Sequence, residues 1–405
     1  MERIDFQKDY DVIVIGGGVA GVAAALAAAG SGAETALIER SGWLGGLATG
    51  GCIFFYLPLC DGRGTQVSFG LSEKLLHASV KYGPSMPLDR WKTDSRNYRY
   101  RTTFSPASFI LAMEEMLTGA GVKIWYHTLF MSLLESTPEH SSLMVRNKGG
   151  NGRLNCNVIV DATGDAEVAR ESSCGFVTGK NNLAFWGIEH DRKDLDAPTV
   201  LSHSLHGVIN GKISNENLPY HALDPRGESD FLLDSREWLR CIYTENGTEV
   251  SKRFPVLIPI LPDFRTSARI KGKTVIPHGT HNRPFPDSIG MAADWSSVGT
   301  VQEIPYSALL PENDSGIIVA GRCISAEGYS WDLIRSIPAV AVSGEAAGTA
   351  AALAVKNKLS LRNLPVELLQ NILYARGCKL HLPEVGLPYM GQEGYIPSTL
   401  KFETH

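Results

Sequence analysis

Residues 10–21 read Tyr-Asp-Val-Ile-Val-Ile-Gly-Gly-Gly-Val-Ala-Gly. A short β-branched run that ends in glycine has the pattern of a parallel strand buried on both faces. The alanine-rich segment Val22–Gly30 that follows is a strong helix former. Glu34–Arg40, ETALIER, reads as the next strand. Strand, glycine loop, helix and strand within about thirty residues start a doubly wound parallel sheet, so the expected class is α/β. Gly16, Gly18 and Gly21 form G-x-G-x-x-G. Gly16 allows the tight turn. Gly18, followed by Val19 and Ala20, lets backbone come close to a pyrophosphate at the positive end of a helix. Gly21 lets that helix pack on the strand. Glu39, eighteen residues past Gly21, can accept both ribose hydroxyls, which favours a free 2′-OH. Dinucleotide binding is one reading of this context. A glycine turn that serves packing alone is the other.

The rest of the chain surrounds this start. At 405 residues it is too long for one simple core. Glycine is in excess, 41 residues or about a tenth against a usual ~7%. The excess gathers in 16–51, around Gly164 and in 316–348, as backbones that approach a ligand closely require. A net charge of −5 makes no general case for nucleic acid or an anionic membrane. The most apolar stretch, Ala339–Val355, is interrupted by Ser343, Gly344, Glu345 and Thr349, so no membrane span is expected. The N-terminus carries acidic residues and lacks a separate apolar stretch. A signal peptide is not expected and the cytoplasm is the default. Seven scattered cysteines form no CxxC and no zinc spacing, so they read as reduced thiols without a metal.

Leu71, Leu75, Leu76 and Val80 share a face, which predicts a helix ending near Gly83. Ser105 as N-cap, Pro106 at the first helical position and Gly119/Gly121 at the end predict another helix over 105–121. Asn147–Arg153 reads as a polar hairpin. Gly316–Gly321 is a further buried strand, and Ile337–Lys356 a long helix of small residues. Weak alternation from Cys174 to about Val298 predicts a second domain inserted into the first. The expected division is 1–173 with a cap segment over about 54–104, then 174–300, 301–360, and a C-terminal helix and tail over 361–405.

Three further motifs carry a resemblance. Glu39-Arg40 is followed by Gly45-Gly46-Leu47-Ala48-Thr49. Val160-Asp161-Ala162-Thr163-Gly164-Asp165 is an ATG-type motif. Ser315–Arg322 ends in Ala320-Gly321-Arg322. In this order they resemble the FAD oxidoreductases of the glutathione-reductase type. That resemblance implies a Rossmann-like FAD-binding domain with an inserted α+β substrate or cap domain. It implies that these motifs line FAD, and that the helix opening at Ile337-Pro338-Ala339 points its N-terminus at flavin N1 and O2. A narrower resemblance is to FAD-dependent oxidoreductases found alongside sugar-catabolic genes. It rests on GGLATGG, on Arg265-x-x-x-Arg269-x-x-Gly272, on Phe285–Ile289 and on the stretch from Gly321 to Gly348. Where that group often has D-x-H, this chain has Asp294-Trp295-Ser296, so no histidine role carries over there.

A second strand–GxGxxG–helix is missing. GFVTGK, residues 175–180, lacks both the spacing and a following helix. Cys52 and Cys60 have no exchange spacing. Electrons are therefore expected from a substrate over the flavin, or from a partner.

Flavin hydride transfer needs a group for the coupled proton and charge to orient the substrate. His278 and His281 lie in PHGTHNRPFP and are candidates for the proton. Solvated loop histidines are the other reading. Arg265, Arg269 and Arg283 are candidates to bind an anionic substrate. Ordinary salt bridges are the alternative. Arg335 could stabilise reduced flavin and Asp332 could take a proton, or the two could pair at the helix start. Trp91, Tyr98 and Tyr100 with Arg90, Arg96, Arg99 and Arg101 read as a solvated cover over the substrate cleft rather than a nucleic-acid patch. The leading expectation is an FAD-dependent oxidoreductase acting on a small polar molecule, with an unknown electron acceptor. A binding protein of the escort type for prenylated GTPases is the alternative. A tRNA-modifying flavoprotein is a third, because GGGxAGxxAALAAA is similar there. Oligomeric state stays open.

Overall fold

The computed structural model describes residues 3–83, 99–179, 186–191, 200–205, 220–244 and 253–400. Its centre is a five-stranded parallel sheet in the order Ile317–Val319, Val158–Asp161, Val12–Ile15, Thr35–Ile38, Lys123–Trp125. Val12–Ile15 is buried at every position, as a central strand covered on both faces must be. The helix Val19–Ala29 follows directly from the glycine loop. The doubly wound expectation holds.

One face of the sheet carries two helices in close contact, Val19–Ala29 and Ile337–Asn357. Their crossing is lined by small residues. A Cβ on Gly344 would lie 2.2 Å from the Ala20 carbonyl oxygen, and one on Gly348 would lie 1.9 Å from that of Ala24. Ile337–Asn357 has the length and apolar composition of a membrane span, but 89% of its most apolar window is buried inside the protein. Its small-residue composition answers to this helix contact.

The hairpin over 147–153 joins Ser141–Asn147 to Gly150–Cys156 in a second, four-stranded sheet. The edge strand Phe6–Asp9 enters that sheet in parallel. The helix Pro106–Gly119 has Pro106 at its start and Ala120 at its C-cap. Ser105 stands at the N-cap, but its side chain makes no capping hydrogen bond, so its expected role is only positional. The helix Leu71–Ser79 stops short of Gly83, with Val80 as its C-cap.

Between Val158–Asp161 and Ile317–Val319 the chain leaves the central sheet. It forms an antiparallel sheet of Val200–Leu205, Trp186–Asp191 and Arg253–Leu257, and the helix Gly227–Thr244. Phe231, Leu239, Tyr243 and Phe264 make a separate small core there. The inserted α+β part of the fold is therefore present. Trp91, Tyr98, Arg90 and Arg96 of the expected cover lie outside the described residues. Tyr100 is buried, its hydroxyl 2.9 Å from His77 Nε2, so it belongs to the core and not to a solvated surface. Its ring is large and apolar, and His77 satisfies its one polar atom.

Candidate active site

The three glycine segments converge at the C-terminal ends of the central strands. Gly16 has φ of +101° and its N–H donates to the Ile38 carbonyl at 2.8 Å. A Cβ there would stand 2.6 Å from the Ala162 carbonyl oxygen, which ties the first glycine loop to the ATG-type segment. The Gly45 N–H donates to the Gly17 carbonyl at 2.8 Å, and a Cβ on Gly46 would be 3.1 Å from the Gly18 Cα. The second glycine pair thus lies against the first. Gly321 N–H donates to Ser343 Oγ at 3.0 Å, on the long helix. By contrast, a Cβ on Gly18 would meet nothing within 4 Å. Gly18 is the N-cap of Val19–Ala29, whose first turn holds no acidic residue. Unpaired N–H groups and the helix dipole therefore face open space there, which is what an anionic diphosphate needs.

Glu39 is buried at the end of its strand. Its Oε2 accepts the Gly17 N–H at 2.6 Å. Its Oε1 accepts the Ser41 N–H and hydroxyl at 2.7 and 2.6 Å. One lone pair of Oε2 is left for a ribose hydroxyl, so the carboxylate is held by the loop before any ligand arrives. Arg40 lies at the rim, 3.5 Å from Glu167. Leu47 and Ala48 form a short 3₁₀ turn with Gly46, and Thr49 Oγ1 closes it on the Leu44 carbonyl at 2.5 Å.

Asp161 holds the ATG-type turn. Its fully buried carboxylate accepts Thr163 N–H and Oγ1 at 3.1 and 2.7 Å, and the Val168 and Ala169 N–H groups at 3.0 and 2.9 Å. Burial pushes this carboxyl up, against those four donors. Asp165 accepts Arg322 Nη2 at 2.9 Å and the Ser267 hydroxyl. Burial alone would raise it, but the Arg322 charge and the Ser267 bond outweigh that and hold it below the usual carboxylate range. Arg322 Nε donates to the Gly164 carbonyl at 2.8 Å, and its own carbonyl accepts Trp331 Nε1 at 2.7 Å. Gly164, Asp165, Gly321 and Arg322 thus form one cluster.

The inserted part approaches through 258–265. The Ile260 and Leu261 N–H groups both donate to the Gly50 carbonyl, at 2.9 and 3.1 Å, which lays this segment on the second glycine stretch. It carries Asp263, only 4% exposed, and Arg265, half-buried. Asp263 lies within electrostatic reach of Arg265, Arg335 and Arg322. Burial and then the Arg335 charge pull Arg265 below its ordinary value. Arg335 donates Nε to Asp332 at 2.7 Å. Ser336, Ile337, Pro338 and Ala339 follow at once and open the long helix, whose first turn has no acidic residue. Ser336 Oγ is buried there without a partner.

The other expected groups sit elsewhere. Arg269 is buried with its guanidinium 5.5 Å from the centre of the Trp331 ring, so its cation is held by an aromatic face. Arg283 is exposed and contacts Met390. His278 Nδ1 accepts the Tyr329 N–H at 3.0 Å, at the start of the helix Gly328–Leu333. His281 stands edge-on to the Tyr329 ring at 6.4 Å, its Nδ1 buried without a partner. Burial lowers its pKa first, then Arg283 and His278, against the pull of Asp294. Asp294 is bound by Ser296 and Ser297, and Ser297 Oγ lies 3.3 Å from Tyr329 Oη. Asp332 and Arg335 are paired, as one of the two readings expects.

Sequence reasoning passed over Asp263 and Ser267. Both lie within a few residues of Arg265. A short Asp-x-Arg step and a serine before an arginine have no distinctive spacing, so no local signal marks them. Among the described residues there is no cluster of His, Cys, Asp and Glu able to hold a metal.

The family model described as FAD dependent oxidoreductase matches residues 11–186 and 244–373. Two curated relatives match over 112 residues at 36% identity, covering 25% of this chain and 18% of each relative. Both are tRNA uridine 5-carboxymethylaminomethyl modification enzymes MnmG, from Geobacter sulfurreducens and Geobacter metallireducens. This chain thus spans about a fifth of their length. OxyS anhydrotetracycline hydroxylase from Streptomyces rimosus is similar in structure at 13% identity and a TM-score of 0.47, over 91% of this chain and 66% of that one. So is p-nitrophenol 4-monooxygenase PnpA from Pseudomonas putida, at 12% identity and 0.45, over 92% and 89%. The residues present fit FAD. An open face at Gly18 meets a helix N-terminus, Glu39 is preset beside it, and a second helix N-terminus stands at Ile337.

Proposed function

We propose that this chain, which belongs to the FAD dependent oxidoreductase family, uses bound FAD to move a hydride between flavin N5 and a small polar, anionic molecule. FAD supplies the two-electron chemistry. The chain's own residues do the rest. The N-terminus of Val19–Ala29 takes the diphosphate and Glu39 one ribose hydroxyl. Gly45 to Thr49, Ala162 to Asp165 and Gly321–Arg322 shape the cofactor's path. The N-terminus of Ile337–Asn357 and Arg335 face the end where negative charge collects on reduction. Segment 258–265, laid on the second glycine stretch, brings Arg265 to the substrate side. Arg265 and Arg335 then orient the substrate's anionic group, a task for which a guanidinium fork is suited.

The observation that carries this reading is the convergence of three separated glycine segments around the open Gly18 face, with a cationic cluster beside it. His278 and Arg269 fit supporting roles better than catalytic ones, since each already serves a neighbouring element. His281, Asp294 and Tyr329 form an outer wall. Free cysteines and a buried apolar helix agree with a site of action in the cytoplasm. The test is the purified chain itself. A yellow protein whose flavin is bleached anaerobically by a small organic acid supports the proposal. A colourless protein that takes up no FAD overturns it. The partial likeness to tRNA-modifying enzymes gives a second reading, and retention of tRNA by the purified protein would favour it.

A further inference from the structure

Residues 381–400 run back across the molecule in two parts that are held very differently. The first part is a fixed root. Glu303, fully buried, accepts the Leu382 N–H at 3.1 Å and the Tyr389 hydroxyl at 2.7 Å, and lies 3.2 Å from His381 Nδ1. Leu382 is buried in a small core with Val67, Met291, Ala293 and Val301. The Met390 N–H closes the root on the Asn282 carbonyl at 2.8 Å. From Gly391 onward the hold changes. None of residues 391–399 is buried, and Ile396 is 61% exposed. Gly391 and Gly394 have φ of +86° and +81°, and a Cβ on either would meet nothing within 4 Å. The far end is held by polar contacts. Arg63 Nη1 and Nη2 donate to the Ile396 and Pro397 carbonyls at 3.1 and 2.8 Å, and Thr399–Leu400 pairs antiparallel with Ser297–Val298. Hydrogen bonds at exposed positions replace bonds to water at little net gain, while ordering a length of chain carries an entropy cost at every residue. Such a segment opens locally without the rest of the fold.

The far end lands on the outer wall of the site. Ser297, 3% exposed, is the register partner of Leu400. Its hydroxyl donates to Asp294 at 2.7 Å and lies 3.3 Å from the Tyr329 hydroxyl. The neighbouring residues rest on the loop that follows the second glycine stretch. A Cβ on Gly62 would be 3.2 Å from the Val298 side chain, and the Gly299 N–H donates to the Asp61 carbonyl at 2.7 Å. Tyr329 belongs to the helix Gly328–Leu333, which Trp331 ties to the Arg322 carbonyl at 2.7 Å and which leads to the long helix at Ile337. We propose that residues 391–400 are a strap, rooted at Glu303 and hinged at Gly391 and Gly394, that docks reversibly on Arg63 and Ser297–Val298 and in docking sets the Ser297 hydroxyl against Tyr329, closing the wall beside the flavin. This rests on the flavoenzyme reading above. With the strap away, Ser297 keeps its bond to Asp294 but loses the partner strand that fixes its backbone, and the wall loosens. Arg63 is the clasp. A Cβ on Gly299 would stand 2.5 Å from Arg63 Nη1, so one guanidinium lies on the wall and holds the strap.

The experiment compares the full FAD-loaded chain with a chain stopped after Met390, with Arg63→Gln, and with a double variant, Val298→Cys and Thr399→Cys, whose positions are partners across the pairing. Hydrogen exchange reads the amides of 294–300, and iodide quenching of flavin fluorescence reads access to the flavin. Stopping the chain should speed that exchange about 10-fold, the loss of one or two net hydrogen bonds, and should steepen quenching. Its unfolding midpoint should stay close to that of wild type. Arg63→Gln should move both readouts in the same direction by less. The oxidised double variant should exchange more slowly and be quenched less than wild type, and should return to wild-type values on reduction with dithiothreitol. Exchange or quenching unchanged in the stopped chain, a stopped chain that does not fold, Arg63→Gln matching wild type in both readouts, or a double variant that forms no disulfide would each overturn the proposal. A wild-type chain that holds no FAD would instead overturn the reading beneath it, and exchange at 294–300 would still read the strap.

Discussion

Gly18 and Asp165 show how single residues divide between ligand and scaffold. The Gly18 Cβ position is open, so a side chain there should cost the fold little and fill the place proposed for the diphosphate. Gly18→Trp should fold normally and retain no flavin, read as protein-to-flavin absorbance after reconstitution. Flavin content equal to wild type would refute this. Asp165 is the opposite case. Its carboxylate joins Arg322 and Ser267, which come from separate parts of the chain, and Arg322 also holds the neighbouring Gly164 carbonyl. Asp165→Asn leaves the Arg322 charge without its partner, at a cost of about 3 kcal/mol for a largely buried pair. A thermal unfolding midpoint unchanged from wild type would count against it. The pH dependence has a definite sign. The folded pKa of Asp165 is depressed, so its contribution is complete above the unfolded value of about 3.9. It is lost as pH falls through the lower folded value. Wild type should therefore lose more stability than Asp165→Asn on acidification below about pH 4, measured by urea unfolding.

At the level of elements, the crossing of Val19–Ala29 and Ile337–Asn357 positions both helix ends proposed to face FAD. Their backbones approach because Gly344 and Gly348 lie over Ala20 and Ala24. Gly348→Val would put a branched side chain against backbone, where neither helix can yield by a rotamer change. The expected cost is at least about 1–3 kcal/mol of overpacking. Because the same shift moves the Val19 and Ile337 ends apart, flavin should be released at lower temperature than in wild type, followed by its fluorescence on heating. The helix Gly328–Leu333 supplies a milder case. His278→Ala removes an acceptor from the Tyr329 N–H at an exposed end, worth about 0.5–2 kcal/mol as a cap. FAD retention should be unaffected. Turnover should fall by less than about 10-fold, where a general base would lose 10²–10⁴.

At the scale of the whole molecule, the described residues hold one nucleotide-type sheet, and the insertion between its last two strands is antiparallel and helical. NADH or NADPH therefore has no Rossmann site of its own there. Anaerobic mixing with either should bleach the flavin slowly and without saturation. Rapid, saturable reduction would show a nicotinamide site.

The residues up to Arg40, the Gly45–Thr49 pair, the Ala162–Asp165 turn and the Ile337 helix were legible in the chain itself. Each is a local pattern: a β-branched run, a glycine at a tight turn, a proline at a helix start. Such patterns report backbone conformation, which depends on neighbours along the chain. They determined the sheet and the cofactor class. Which side chains meet is a different matter. Asp165 with Ser267 and Arg322, Arg269 against Trp331 and Tyr100 against His77 join residues from separate segments. His278 read as a candidate for the coupled proton or as a solvated loop histidine, and the fold puts the Tyr329 N–H on its Nδ1. Burial and charge at such points come from packing between distant segments, and one-dimensional spacing carries no record of it. The tertiary structure alone decided which polar groups were spent on the scaffold.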